Sequence, residues 1–548
     1  MWKTTEDGTP VSSSMAPAAN SRRWFWGSLL ALTALYTLLV YVGISRHLWF
    51  DELLTYQIAK APSLPQVLAL ADHWDLNPKE LHVLAHASLL LAPGQPQAIR
   101  LPSILEFYFA SVFLLIYAAR KVGPAFAALP VLILWASPML YYATEARPYA
   151  ALCFWFCALL LLWDAAVEPG RHRLIVWAIA LSCAGLIEAH VLAVLSLLPF
   201  FAAEALRFRE RREADWPLWL ALLLPLLLTV SYVPLFRGYG AITAYPPAFQ
   251  AGLDKVVSFY WHTFIGVLAC LLLAALAAWL VTGRQPLRLG VAPVRWPDAV
   301  LYAVLIVLPV PLALLLMTQH SPFWGRYCIT STIGLYVLSG FVLATAFRRS
   351  TRAGYAAVVT AGAVVLLQQA LLPLYRRTVH PPSANVAFLQ QMRPALPIVA
   401  ASGLTFVEMG QYEEQPIRSR LFYLLDRAAA IQFAHATIFE DLDGFQKDSG
   451  IPGTIEPYRQ FVRDHPVFLV IGTFNYPEDW LLRKLAASGA VITPLGDYDT
   501  PYKDKSLFEV HMTDRSRSAS SLLRPVQTGS KACRAAKILS CSSSVRPL

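Results

Sequence analysis

The chain has 548 residues, 56% of them hydrophobic and only 15% charged, with a formal net charge of +10. A soluble domain carries roughly a quarter charged residues, so this balance excludes an ordinary soluble enzyme. Recurrent apolar stretches of about 20 residues predict a polytopic α-helical membrane protein. Such proteins collect Lys and Arg in their inner loops, so the basic surplus gives no reason to invoke nucleic acid.

In chain order, residues 1–23 are polar and run into an apolar span with no small-residue cleavage pattern after it. They read as an inner, cytoplasmic N-terminal segment and not as a cleavable signal. Spans are predicted near 24–44, 98–119, 124–142, 147–166, 172–188, 190–206, 216–236, 257–281, 298–317, 327–347 and 353–374, eleven in all. LHVLAHASLLLA at 81–92 is apolar but too short to cross a ~30 Å core, so it is read as an interfacial helix, with His82 and His86 as interfacial polar residues. With eleven spans and an inner N-terminus, the clusters Arg22–Arg23, Arg120–Lys121, Arg171–Arg173, Arg207–Arg212, Arg284–Arg295 and Arg348–Arg352 all fall inside. Counting 81–92 as a span would put most of them outside.

Residues 24–375 are thus read as one transmembrane domain with a large outer loop at 45–97. Beyond it, the runs PIVAA, RLFYLL, VFLVIG, AVITPLG and SLFEVH predict a small outer α/β domain of four or five strands over 376–515, read as accessory, with acceptor recognition as its role. Residues 516–548 are Ser-, Arg- and Lys-rich and are expected to be a disordered tail. Cys153, Cys157, Cys183 and Cys270 lie inside apolar spans, Cys328 is placed in one too, and Cys533 and Cys541 are in the tail. With no CxxC pattern, neither a disulfide framework nor a metal knuckle is expected.

The same topology gathers the ionisable oddities at the outer surface. These are Asp51–Glu52 in HLWFDELLTYQ, Asp72-His73-Trp74-Asp75, Arg100, Glu145 and Arg147 in YYATEARPYA, Glu188 and His190, and Arg326 in FWGRYCIT. Ionisable groups at membrane depth are expensive and mark a functional site by default. Adjacent residues on a helix point about 100° apart, so Asp51 and Glu52 cannot flank one bond together. One then faces the site while the other supports the backbone or a partner; the alternative is a helix N-terminus that carries acids for its dipole. Glu145 and Arg147 form either a site or a local ion pair within a Tyr belt. Arg326, at the mouth of a span, offers the planar fork that suits a phosphate, or it snorkels without a ligand. The DHWD cluster with His190 has ligand types that suit a divalent cation, but its spacing is not diagnostic and a polar loop is the plainer reading. No cofactor is required by the sequence, and a divalent cation is left open.

Together, the WFDE motif after the first span, DLNPKELHVLAHASLLL, RLPS at 100–103, EARPYAL and the Arg-Tyr pair of the last outer loop resemble the GT-C membrane glycosyltransferases over about residues 24–347. The branch most resembled holds protein O-mannosyltransferases, lipid A aminoarabinose transferases and the RgtA/B/C/D-like bacterial enzymes. One departure stands at Asn77-Pro78-Lys79-Glu80-Leu81, where that family usually has a second Pro and an aromatic.

The resemblance implies a GT-C fold in a bacterial plasma membrane and a sugar donor carried on a polyprenyl phosphate. The acceptor is a lipid, glycan or protein, and the C-terminal domain is periplasmic. It implies Asp51 as catalytic base in an inverting transfer, with Glu52 beside it. Glu145 orients the acceptor or a cation, and Arg326, with Arg147 second, clamps the phosphate. Tyr327, Arg100, His190, Asn77 and Tyr149 join the substrate-binding set. The competing reading is a transporter or flippase, which should hold its ionisable residues at the bilayer midplane. A membrane-anchored sensor would not need eleven spans. No P-loop or GxGxxG points to soluble nucleotide chemistry.

Overall fold

The computed structural model describes residues 18–75, 78–168, 170, 173–233, 250–283, 295–347, 349–379, 395–434, 439–476, 479–499 and 504–513. Residues 1–17, Asn77, Arg171, Arg284, Arg288, Arg348 and the 516–548 segment lie outside them.

The helices that build the membrane part are α1 (Ala18–Ile44), α2 (Phe50–Ala59), α3 (Leu64–Trp74), α4 (Glu80–Leu91), α5 (Leu101–Val122), α6 (Leu129–Trp135), α7 (Tyr149–Ala166), α8 (Arg173–Ala189), α9 (Leu198–Arg211), α10 (Trp216–Leu223), α11 (Leu253–Val281), α12 (Trp296–Val307), α13 (Pro309–Thr318), α14 (Ile329–Ala346) and α15 (Thr351–Val379). Among the described residues, eight stretches are long and apolar enough to cross a membrane: Arg23–Ile44, Pro96–Val122, Tyr149–Ala166, Val191–Arg211, Leu253–Val281, Trp296–Thr318, Gly325–Ala346 and Thr351–Leu371. The other three expected spans are helical but shorter. The 124–142 stretch breaks at Ser137-Pro138 into α6 and a 3₁₀ turn (Pro138–Thr144), and the 216–236 stretch passes from α10 into a 3₁₀ segment (Leu224–Tyr232) at Pro225. Proline lacks the N–H that would continue the α ladder. α8 has 17 residues.

Proline also starts helices here. It stands in the first turn of α3, α5, α6, α9, α10, α12 and α13, where its missing N–H costs nothing. α7 and α14 form the centre of the bundle, with 72% and 67% of their apolar windows buried, against 17–22% for α1, α11 and α15 on the perimeter. Small residues bring helices close: a Cβ at Gly185 of α8 would lie 2.2 Å from the Trp155 ring of α7. α4 lies where the interfacial helix was expected. Its Leu90 and Leu91 are exposed, while Leu81, His82, Ala85 and His86 are buried.

The C-terminal part is a six-stranded sheet in the order β3-β2-β1-β4-β6-β5. The strands are β1 (Ile398–Ala400), β2 (Leu421–Leu425), β3 (Thr454–Pro457), β4 (Val467–Gly472), β5 (Val491–Asp499) and β6 (Asp504–His511). β3, β2, β1 and β4 are parallel; β6 pairs antiparallel with β4 and with β5. Four or five strands were expected. The additional one is β3, a four-residue edge strand whose side chains are exposed or half-buried and whose last residue is Pro457, so it carries no apolar run to announce it.

Alternate residues of the sheet face opposite ways. Val399, Leu424, Phe468, Val470 and Val510 pack on helices Tyr458–Asp464 and Trp480–Ser488. Ile398, Ala400, Leu421, Tyr423, Leu469 and Ile471 share one core with Leu48, Phe50, Leu53, Leu54, Val67 and Trp74 of the 45–97 loop. The sheet and the loop that carries Asp51 are therefore packed as one body.

Candidate active site

α2 begins at Phe50, so Asp51 and Glu52 lie in its first turn, where carboxylates favour the exposed N–H groups. Both are buried, at 1% and 0% exposure. Glu52 spends its oxygens on the fold. Arg100 donates Nε to Oε1 and Nη2 to Oε2, each at 2.7 Å, and the N–H groups of Ala146 (2.9 Å) and Trp49 (3.3 Å) complete the set. Arg100 in turn donates to the carbonyls of Ile44, Arg46 and His47 at 2.8–3.0 Å. This two-pronged pair ties α2, the start of α5 and the 144–148 turn together. Glu52 and Arg100, expected among catalytic and substrate-binding residues, thus have their polar atoms occupied within the protein.

Asp51 differs. Its Oδ2 accepts no hydrogen bond among the described residues, and Arg147 Nη2 lies 3.4 Å from it. Arg147 is 3% exposed, and its Nε and Nη1 have no hydrogen-bond partner among the described residues. Burial disfavours its charge; Asp51, Tyr149 and Asp75 outweigh that, and Arg326 opposes it as a like charge. Buried groups are normally satisfied, so a buried carboxylate facing a guanidinium with two unspent nitrogens is an exception that calls for a role.

Around this pair stand Tyr149, His190, Arg326 and Tyr327. Arg326 lies 5.8 Å from the centre of the Tyr149 ring, His190 is 6.3 Å from Tyr149 and 5.8 Å from Tyr327, and Tyr142 is 4.7 Å from Tyr149. His190 Nδ1 accepts the Leu192 N–H at 3.1 Å. Burial, then Arg326 and Arg147, pushes its pKa down to about 4, so the ring is neutral. Glu145, in the turn before α7, is 3% exposed, and burial raises its pKa to about 7 despite Arg46 and Arg147. The turn before α7, the α8–α9 connection and the stretch before α14 thus converge on the first turn of α2. Asn77 lies outside the described residues.

Two features went unread in the sequence. Arg46 donates Nη2 to the Thr144 carbonyl at 2.7 Å and stacks 3.7 Å from the Tyr141 ring, next to Glu145. Its signal was available: a basic residue just past the end of the first apolar stretch, away from the other basic clusters. The DHWD cluster separates. Lys79 Nζ sits 2.6 Å from the exposed Asp72, while Asp75 pairs with His82 Nε2 at 2.7 Å, both buried. His86 Nδ1 meets the Ala59 carbonyl at 2.8 Å. The two histidines are core groups that join α4 to α2 and to the end of α3, not interfacial ones. Among the described residues, no group of three or more His, Cys, Asp or Glu side chains is placed to hold a metal ion.

This arrangement offers a carboxylate able to accept a proton beside guanidinium donors able to hold an anion. No family model matches the chain, and no curated protein matches it. Among solved structures, it is similar to ArnT from Cupriavidus metallidurans bound to undecaprenyl phosphate, at 15% identity and TM-score 0.50, over 88% of this chain and 98% of that one. A second crystal structure, of the same protein in the apo state, gives 13% identity and TM-score 0.48 over the same shares. The first likeness, with the long apolar helices and the C-terminal sheet, shows that the chain has the GT-C fold.

Proposed function

We propose that this protein is an integral-membrane inverting glycosyltransferase. It moves a sugar from a polyprenyl-phosphate donor to an acceptor hydroxyl of a lipid, glycan or protein at the outer face of the plasma membrane. The observation that carries the proposal is the Asp51–Arg147 pair: among the described residues, a buried carboxylate oxygen accepts no hydrogen bond and lies 3.4 Å from a guanidinium that keeps Nε and Nη1 unspent. The ArnT structure with undecaprenyl phosphate supports a donor of this class. The positive-inside bias supports a cytoplasmic N-terminus and a periplasmic C-terminal domain. The RgtA/B/C/D-like motifs point to that branch of the fold.

The chemistry balances with few groups. The acceptor oxygen attacks the anomeric carbon from the face opposite the phosphate, its proton passes to Asp51, and the bond from that carbon to the phosphate oxygen breaks. The polyprenyl phosphate leaves as a stable anion, which needs donors more than a proton. Arg147 and Arg326 supply them, and burial makes each donor worth more than it is in water. Glu145, with its pKa near neutrality, orients the acceptor. Tyr149, neutral His190 and Tyr327 line the phosphate end. Glu52 and Arg100 hold the first turn of α2 so that Asp51 stays aimed.

The test uses the full chain in lipid nanodiscs with a panel of polyprenyl-phosphate sugars and a panel of lipid, glycan and Ser/Thr-peptide acceptors, and follows release of polyprenyl phosphate. One donor should turn over, and Asp51→Asn should abolish that turnover while undecaprenyl phosphate still binds. Turnover that survives Asp51→Asn would overturn the mechanism.

A further inference from the structure

We infer that the C-terminal α/β domain acts on the transfer itself by fixing the catalytic helix, with Tyr412 as a positioning residue for Asp51. This rests on the function proposed above and gives the domain a different task from acceptor recognition.

Tyr412 is the last residue of α16 (Gly403–Tyr412), the helix that returns β1 to β2. Its hydroxyl reaches the chain just before α2. It accepts the Leu48 N–H at 2.7 Å and donates to the Leu48 carbonyl at 3.2 Å. Leu48 is fully buried, so water does not serve these two backbone groups. One hydroxyl can both donate and accept, and here both capacities go to the backbone of one residue, Leu48, three residues before Asp51. The His47 ring meets Tyr412 edge-on at 4.4 Å, and Phe50 meets Phe439 edge-on at 5.4 Å. A further tie joins Trp74 Nε1 to Asp448 at 2.9 Å.

From the membrane side, Arg100 holds the neighbouring carbonyls of Ile44, Arg46 and His47. The segment that delivers Asp51 is therefore gripped by Arg100 from one domain and by Tyr412 from the other. Arg100 leaves Leu48 to Tyr412. A buried N–H that loses its partner pulls its peptide toward another one, and misplacement of a reacting group by about 1 Å costs on the order of a hundredfold in rate.

The experiment compares wild type, Tyr412→Phe and the control Glu509→Gln in nanodiscs, using the full chain. Hydrogen exchange is read by mass spectrometry, with turnover measured on the donor found above. Tyr412→Phe should speed exchange in peptides covering 46–56 while those covering 398–425 stay as in wild type. It should lower kcat on the order of tenfold to a hundredfold with donor KM and undecaprenyl-phosphate binding unchanged. Glu509→Gln should match wild type in both. Unchanged exchange at 46–56, unchanged kcat, or a rise in acceptor KM alone would each overturn the inference, the last in favour of acceptor recognition. If no polyprenyl-phosphate sugar turns over in wild type, the proposed function fails, and exchange at 46–56 still decides whether the domain holds α2. Should Tyr412→Phe not fold, Trp74→Phe removes the neighbouring tie, and the same slower turnover at unchanged KM is expected in weaker form.

Discussion

The two ends of the helix bundle treat buried carboxylates in opposite ways. At the end far from Asp51, Asp164 of α7 meets Arg120 at 2.9 Å, Lys121 at 2.5 Å and Arg295 at 2.6 Å, and Asp298 meets Lys121 and Arg295 at 2.9 Å. Arg120 also reaches Glu168 at 2.7 Å. Each of these charges has an opposite partner, and together they lace α5, α7 and α12. At the Asp51 end, Arg147 keeps Nε and Nη1 unspent and Asp51 keeps Oδ2 unspent among the described residues. Mutually satisfied charges hold helices together, whereas buried charges with spare capacity are paid for by packing elsewhere and mark chemistry. Glu52 and Arg100 belong to the first kind although they stand beside the second.

Substitutions can break this contrast, and the largest effect should come from Asp51→Asn. Turnover should fall on the order of a thousandfold or more, as expected for loss of a general base, with the melting temperature held within a few degrees. Glu52→Gln should act through the fold: it leaves the Arg100 guanidinium uncompensated in a buried site, a loss of about 3–5 kcal/mol visible as low yield and early melting. Arg147→Lys should keep the charge but lose the fork. kcat/KM should drop on the order of a hundredfold, with weaker undecaprenyl-phosphate binding in a direct binding assay. At the far end, Asp164→Asn should cost about 1–3 kcal/mol by thermal melting and leave turnover per folded molecule unchanged. A comparable loss of turnover there would erase the distinction between the two ends.

The finest probe is pH. Glu145 is raised from 4.5 to about 7 in the fold, chiefly by burial. The folded state then binds its proton more tightly than the unfolded state does. Its contribution to stability is fully present below about pH 4.5 and is lost as pH rises through about 7. Melting temperature should therefore fall more, or rise less, from pH 5 to pH 8 in wild type than in Glu145→Gln. An unchanged slope in Glu145→Gln would assign the pH dependence to other groups.

Much of the architecture was legible because membranes impose a crude rule: about 20 apolar residues per crossing, with basic residues held to one side. That rule located the eight long apolar stretches and marked 81–92 as too short for a crossing, since both depend on length and composition alone. It missed the breaks at Pro138 and Pro225, where a single residue outweighs an apolar window. β3 escaped because an exposed edge strand needs no apolar pattern. Within the site, Asp51, Glu145, Arg147, His190 and Arg326 could be singled out because charge at membrane depth is conspicuous. Which of them are spent inside the protein could not be read, and neither Asp75–His82 nor Arg46–Tyr141 carried a motif.

By itself, then, the sequence determined the membrane class, the presence of a C-terminal α/β unit and a short roster of candidate charges. These follow from local composition and periodicity. Only the tertiary structure decided that Glu52 closes on Arg100 while Asp51 pairs at 3.4 Å with Arg147, its Oδ2 accepting no hydrogen bond among the described residues, and that the C-terminal sheet shares a core with the loop bearing Asp51. Adjacent residues differ in fate there because neighbours on a helix face different directions: Glu52 meets Arg100, 48 residues away, and Asp51 meets Arg147.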